Sequence, residues 1–458
     1  MKVLVAAQHH HNTSEMKRLI SLVIAPLLIL SICATPAIAA TPIAGTKCPT
    51  FGQTAIASGK KFTCLMVGSK QVWNKGVKVA SSAGSTSKPS TFKAPIPISL
   101  PVAQNGSITF SNLVSQIGNV DQVAYQRVQD ALANNPAPKA INNDVHVGPN
   151  TKIDVTGGLP RIQEILSRTQ KVFSGFTQVS NFSMLIYNAK DEPWAEAEWV
   201  SFATSRKYLQ GQIRGQKNTI AGNCQTTITP GVFTGSISNC RGADSSAIQN
   251  SDDAILTFGQ SDEGNPGDSF LNKGGVVGHE YVHAVQAAQW IGNPKTYCTE
   301  STNSPDCFRS HYVNNTVPCW LNEGSANSIG PMAALSTLAE YQTFHKNQLP
   351  YNQGATTVTD YSEASLRDFL YKQVIGDRGC ISDNAVYRLG YSVGALTAEI
   401  LTAIGGPQSV MAIYAKSAEG LNFPAAFAAV YGISWENASA VIAKALATEY
   451  LTFGPPPR

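Results

Sequence analysis

The chain has 458 residues, with 34 lysines and arginines, 30 acids, a net charge of +4, 9 cysteines and 8 histidines. Only 14% of residues are charged, against about 25% in an average soluble protein, while 43% are hydrophobic. That balance excludes intrinsic disorder, which needs high net charge and little apolar surface. It also excludes a nucleic-acid binder, which concentrates basic residues on one face.

In chain order, the first feature is an export signal. Met16 precedes Lys17 and Arg18, an apolar run from Leu19 to about Ile32, and the small residues of Ala37-Ile38-Ala39. Residues 1–39 are therefore expected to be cleaved before Ala40, with no transmembrane anchor left and a secreted or envelope location. Loss of Cys33 leaves eight cysteines: Cys48, Cys64, Cys224, Cys240, Cys298, Cys307, Cys319 and Cys380. In an oxidising compartment an even set reads as up to four disulfides. Sequence proximity pairs Cys48 with Cys64, Cys224 with Cys240 and Cys298 with Cys307, which leaves Cys319 for Cys380.

Residues 40–76 read as a small β module stapled by cysteines, with strands at Lys61–Val67 and Lys70–Trp73. It resembles small modules of exported bacterial proteins, which implies association with the cell envelope. Residues 77–100, rich in Ser, Thr, Pro and Gly, have linker composition. Residues 101–140 form a helical lead-in, amphipathic over Val123–Ala133, and residues 141–458 form the main domain. There the spacing predicts a helix over Ile162–Phe176 and strands at Phe182–Asn188 and Ala254–Phe258. The stretch between the two strands, which holds Cys224 and Cys240, reads as loops and a hairpin. From Lys273 onward the pattern is mainly helical, with a break at Gly405-Gly406-Pro407 and a last helix capped by Ser434 and running through Tyr450. The fold class is α+β: a small mixed or antiparallel sheet with a mainly helical C-terminal half.

The residues that carry chemistry are His279-Glu280-Tyr281-Val282-His283, set among Val276, Val277, Val285 and Ala288. In a helix, residues i and i+4 lie on one face, so both imidazoles can reach one ion. Neutral imidazole suits Zn²⁺, and Glu280 falls beside the ion, as a general base on a zinc-activated water requires. Zinc needs a third protein ligand. The downstream candidates are Glu300, Asp306, His311 and Glu323, the last in Cys319-Trp320-Leu321-Asn322-Glu323-Gly324-Ser325-Ala326.

HEYVH followed by WLNEGSA resembles the gluzincin metallopeptidases, the thermolysin-like and aminopeptidase-N-like clan, over Gly274 to Leu401. The resemblance implies a zincin-like domain, zinc on His279, His283 and Glu323, and Glu280 as base. It also implies Tyr387 of Tyr387-Arg388-Leu389-Gly390 as the donor to the oxyanion, with Tyr391 second and His311 an alternative. The chain departs from the family in three ways. His283 and Glu323 stand 40 positions apart, about twice the usual interval, so a loop closed by Cys298 and Cys307 is expected beside the cleft. No G-x-M-E-N exopeptidase motif is present. Asn327 stands where thermolysin-like enzymes carry an Asp partner for a ligand histidine, which it could replace through its carbonyl.

Asp244, Asp252, Asp253, Asp262, Glu263 and Asp268 precede the histidine motif and could bind Ca²⁺ if their loops gather them. The expected function is peptide or protein hydrolysis by a secreted zinc peptidase. The alternatives are an inactive envelope-binding protein on the same scaffold, and a zinc hydrolase of a non-peptide amide or ester.

Overall fold

A computed structural model describes residues 43–48, 54–58, 60–67, 70–78, 92–224, 240, 242–248, 251–261, 269–293, 313, 315–347, 360–375 and 384–453. The chain divides into two compact units, residues 1–87 and 88–458. No helix among the described residues is long and apolar enough to cross a membrane.

The first unit is an antiparallel sheet of β1 (Thr54–Ala57), β2 (Lys60–Val67), β3 (Lys70–Trp73) and β4 (Val77–Lys78), with β2 pairing the other three. Its register sets Cys64 opposite Trp73. Cys48, Phe62 and Trp73 form the core, and the Cys48 amide donates to the Gln71 carbonyl at 3.2 Å. Cys48 is disulfide-bonded; the Cys64 side chain lies outside the described residues.

The second unit carries a mixed sheet ordered β5 (Asn142–Val147), β6 (Asn181–Tyr187), β8 (Asp253–Gly259), β7 (Gly242–Ala247). The first three strands run parallel, and β7 is antiparallel to β8 at one end. β6 and β8 are apolar and buried along nearly their whole length, as strands covered on both faces must be. Their residues alternate between two cores. Phe182, Met184, Ile186, Leu256 and Phe258 join the large core, whereas Leu185, Tyr187 and Ile255 join a smaller one with Trp199, Ile213 and Ile220.

The longer helices among the described residues are α1 (Val120–Asn134), α2 (Gly158–Val172), α3 (Glu192–Ser205), α4 (Gln210–Asn223), α5 (Gly275–Ala288) and α6 (Cys319–Ala334). After them come α7 (Leu338–Asn347), α8 (Glu363–Ile375), α9 (Asn384–Gly405), α10 (Pro407–Ala418), α11 (Phe423–Tyr431) and α12 (Trp435–Phe453). The α+β class, the central strands, the Gly406–Pro407 break and the Ser434 cap match the sequence reading; Asn437 N donates to Ser434 Oγ at 3.3 Å.

Three features differ from it. The stretch after β6 is not only loops and a hairpin but also contains α3 and α4. Apolar residues lie all round α3 and leave no amphipathic face to read, while α4 holds its Gly-rich sequence by packing Ile213 and Ile220 into the smaller core. The polar strand β5 was not foreseen either. Third, residues 92–100 are extended on the second unit rather than free. Ala94 is buried, and Phe92, Ile96, Ile98 and Leu100 pack against the large core. Apolar residues at every second position, kept extended by proline, give that segment a face to bury.

The Cys224–Cys240 disulfide, spanning 16 positions, joins the end of α4 to the approach of β7. Cys319 is also disulfide-bonded; Cys298, Cys307 and Cys380 lie outside the described residues, as do residues 294–312 and 314 of the connection between α5 and α6.

Helix contacts around α6 are unusually close. A Cβ at Gly330 would fall on the α5 backbone at Gly278 and His279, and one at Gly324 would fall on Gly394 of α9. Elsewhere a buried polar clamp ties three helices. His345 of α7 stands 3.0 Å from Glu399 of α9 and 3.0 Å from Glu449 of α12. Burial alone would lower the His345 pKa, but Glu399 and then Glu449 carry it well above the ordinary value.

Gly394→Ala should destabilise the fold by about 1–3 kcal/mol, because a methyl group there meets backbone that cannot move aside. Gly222→Ala in α4, where nothing lies within 4 Å of the added carbon, should instead stabilise by about 0.5–1 kcal/mol. Urea unfolding of the two variants beside wild type measures both signs.

Candidate metal centre

α5 begins at Gly274, which takes a left-handed φ of 79°, and then runs through an apolar sequence that is buried almost throughout. The helical period places His279 and His283 one turn apart, with their Nε2 atoms 3.1 Å from each other. α6 lies antiparallel to α5: Gly278 faces Gly330, while Gln286 hydrogen-bonds the Asn322 carbonyl at 2.9 Å. This pairing brings Glu323, in the first turns of α6, against the histidines. Its Oε2 is 3.4 Å from His283 Nε2 and 3.8 Å from His279 Nε2. Among the described residues, His279, His283 and Glu323 form the one group of three that could hold a metal ion.

The donor set suits an ion. Three ligand atoms about 2.0–2.1 Å from one centre at tetrahedral angles stand about 3.3–3.4 Å apart. The observed separations of 3.1, 3.4 and 3.8 Å bracket that value. Glu323 Oε2 is buried and pairs with His283 at 3.4 Å without a hydrogen bond of normal geometry. A buried carboxylate oxygen so placed is costly unless a cation or donor meets it.

Glu280 turns its carboxylate beside the pair, with Oε1 4.0 Å from His279 Nε2, and accepts a hydrogen bond from the Ser245 backbone of β7. A cavity of about 210 Å³ opens there, lined by these four side chains with Asp244, Ser245, Tyr391 and others, with no Lys or Arg among the described residues that line it.

Burial dominates the electrostatics of the metal-free chain. It holds His279 down at about 3, helped by His283 and opposed by Glu323 and Asn327. Burial also lifts Glu280 to about 8, with Asp244 and Glu323 adding to the rise and His283 and Ser245 opposing it. For the coupled pair, burial is outweighed: Glu323 carries His283 up to about 9, and His283, His279 and Tyr391 draw Glu323 down to about 2.

The other residues singled out in the sequence are placed as follows. Tyr391 hydrogen-bonds Glu323 and stacks near His279, ring centroids 6.4 Å apart. Tyr387 is in α9 one turn earlier, but its side chain lies outside the described residues, as do Glu300, Asp306 and His311. Asn327, one turn past Glu323, is the polar neighbour of His279, although His279 Nδ1 makes no hydrogen bond of normal geometry.

The acidic residues do not gather into a calcium site among the described residues. Asp244 sits on β7 at the cavity, while Asp253 starts β8 bound to Asn181 and Tyr208. Asp262, Glu263 and Asp268 lie outside the described residues.

Sequence reasoning missed Gln286, Ser325 and Tyr414, and read Asp244 only as a possible calcium ligand. Gln286 Oε1 accepts from His283 Nδ1 at 2.8 Å, and its signal was the i+3 spacing from His283. Tyr414 reaches the same place from α10, which no local pattern reveals.

Compared with known proteins, the chain matches no family model, and no matching curated protein or solved structure was found.

At pH 7 the metal-free His283 holds a proton that a metal ligand must lose. Metal uptake should therefore release a proton, and affinity should rise by about tenfold per pH unit until it levels near pH 9. Titration calorimetry in two buffers of different ionisation enthalpy counts that proton. The linked stability has the same origin: the raised His283 pKa stabilises the metal-free fold below pH 6.5, and this is lost as pH rises through about 9.

Proposed function

We propose that this chain is an exported zinc metallopeptidase of gluzincin type with a zincin-like catalytic domain. The observation that carries the reading is the convergence of His279 Nε2, His283 Nε2 and Glu323 Oε2 at ligand spacing, with the Glu280 carboxylate beside them. The HEYVH and WLNEGSA resemblance supports the same reading. The Cys224–Cys240 disulfide accords with an oxidising compartment.

His279, His283 and Glu323 would hold the ion. Two imidazoles and one carboxylate cancel only half of a divalent charge, and oxygen and nitrogen donors of this kind suit zinc. Zinc, when bound, supplies Lewis acidity to a carbonyl and brings the pKa of water down to about 7. Glu280 then has two tasks, accepting the proton of the attacking water and returning it to the leaving nitrogen. A carboxyl poised near neutrality suits both. The Ser245 amide fixes its direction. A tyrosine hydroxyl of α9 donates to the developing oxyanion: Tyr387 is the residue implied by resemblance, and Tyr391 lies in the cavity.

A peptide substrate is favoured by β7. It ends the sheet among the described residues, borders the cavity, and presents an edge on which an extended peptide can pair.

Glu280→Gln should retain one zinc per chain and lower kcat on a peptide library by about 10²–10⁴-fold. Metal analysis with mass-spectrometric digestion of the library, with and without chelator, measures both. Stoichiometric zinc with turnover only of esters or non-peptide amides points to the other hydrolase reading. A mature chain that binds no zinc and cleaves nothing points to a binding protein.

A further inference from the structure

The carboxamide of Gln286 is held so that only one of its faces can meet His283. Its Nε2 lies 2.9 Å from the Asn322 carbonyl, which can only accept, so that atom is the amide nitrogen. Nε2 also donates to Ser325 Oγ at 2.8 Å and lies 3.3 Å from Tyr414 Oη. Tyr414 spends its single proton on the Leu321 carbonyl at 3.1 Å. The 3.0 Å contact between Ser325 Oγ and Tyr414 Oη therefore has Ser325 as donor. Ser325 Oγ also lies 3.5 Å from the Asn322 carbonyl, so the shorter contact to Tyr414 takes its proton and the chain ends on two backbone carbonyls of α6. Gln286 and Ser325 are 1% exposed and Tyr414 is fully buried, so water does not compete.

With the amide oriented this way, Oε1 is the atom 2.8 Å from His283 Nδ1. An oxygen acceptor there keeps a proton on Nδ1, so Nε2, which faces His279 and Glu323, is the atom that gives up its proton to a metal ion. We infer that Gln286 is the positioning residue of His283, setting its tautomer and ring angle for a metal ion, and that Ser325 and Tyr414 lock Gln286 in turn. This rests on the metal-centre reading above. It adds α10 to the elements that build the centre and gives a buried glutamine and a buried tyrosine a task beyond packing.

The test uses the full mature chain with zinc and cobalt as probes. Gln286→Met keeps the volume and removes the acceptor; Tyr414→Phe keeps the ring and removes the lock. Zinc affinity is read by competition with a coloured chelator, ligand geometry by the visible absorption of the cobalt form, and metal-free stability by thermal melting. Gln286→Met is expected to weaken zinc binding by about 10- to 100-fold and to alter the cobalt spectrum. Tyr414→Phe is expected to weaken binding in the same direction by a smaller factor, with its metal-free melting point close to wild type.

Wild-type zinc affinity and cobalt spectrum in both variants, with only a lower melting point, would show that the network merely packs the helices. That result overturns the inference and leaves the metal centre standing. A wild-type chain that takes up neither metal removes the centre, and the role of Gln286 with it. If Gln286→Met does not fold, Tyr414→Phe decides by the same measurements.

Discussion

The close antiparallel crossing of α5 and α6 is the constraint on which the rest of the second unit depends. Helices ordinarily pack with axes about 8–10 Å apart, set by the side chains between them. At Gly278 and Gly330 there are no such side chains, and the backbones come into direct contact. That approach brings Glu323 within 3.8 Å of both histidines although its side chain is short and starts near the beginning of α6. Gly324 and Gly394 repeat the device between α6 and α9, which carries Tyr391 to the same cavity.

The chain contains two buried groupings of histidine and glutamate, and their geometry gives them different characters. At His345 each ring nitrogen meets its own carboxylate at 3.0 Å, so both ring nitrogens have partners and the cluster joins α7, α9 and α12. At His279 and His283 the Nε2 atoms face each other, and Glu323 Oε2 remains without a normal hydrogen bond. The first grouping is complete as protein alone. The second leaves three donor atoms pointed at one place, where a metal ion could be held. Glu280 belongs to neither set, because Ser245 on the sheet edge holds it to one side.

Legibility followed the physical origin of each element. β6 and β8 could be read because strands buried on both faces are apolar without interruption. α5 could be read because its histidines recur at the helical period. α3 and α4 could not: their helical state comes from contact with the sheet and the smaller core, not from an amphipathic face. The stretch over residues 92–100 has linker composition, and its alternating apolar residues become meaningful only once a core lies beneath them. Asp244 looked like one of several loop acids; pairing with β8 puts it at the cavity. Gln286 stood in plain view three residues after His283, yet its task depends on Tyr414, 128 positions away.

The opening arithmetic of few charges, many apolar residues and nine cysteines remains a description of composition. What the sequence determined by itself is local: the two histidines and Glu280 on one turn of a buried helix, and the breaks and caps around it, because those follow from the 3.6-residue period and from backbone chemistry. What only the tertiary structure decided is which distant groups meet that turn. Glu323, Ser245, Tyr391 and Tyr414 arrive from two further helices, a sheet edge and a fourth helix. Their meeting depends on glycine contacts between backbones, which leave no periodic trace in the chain.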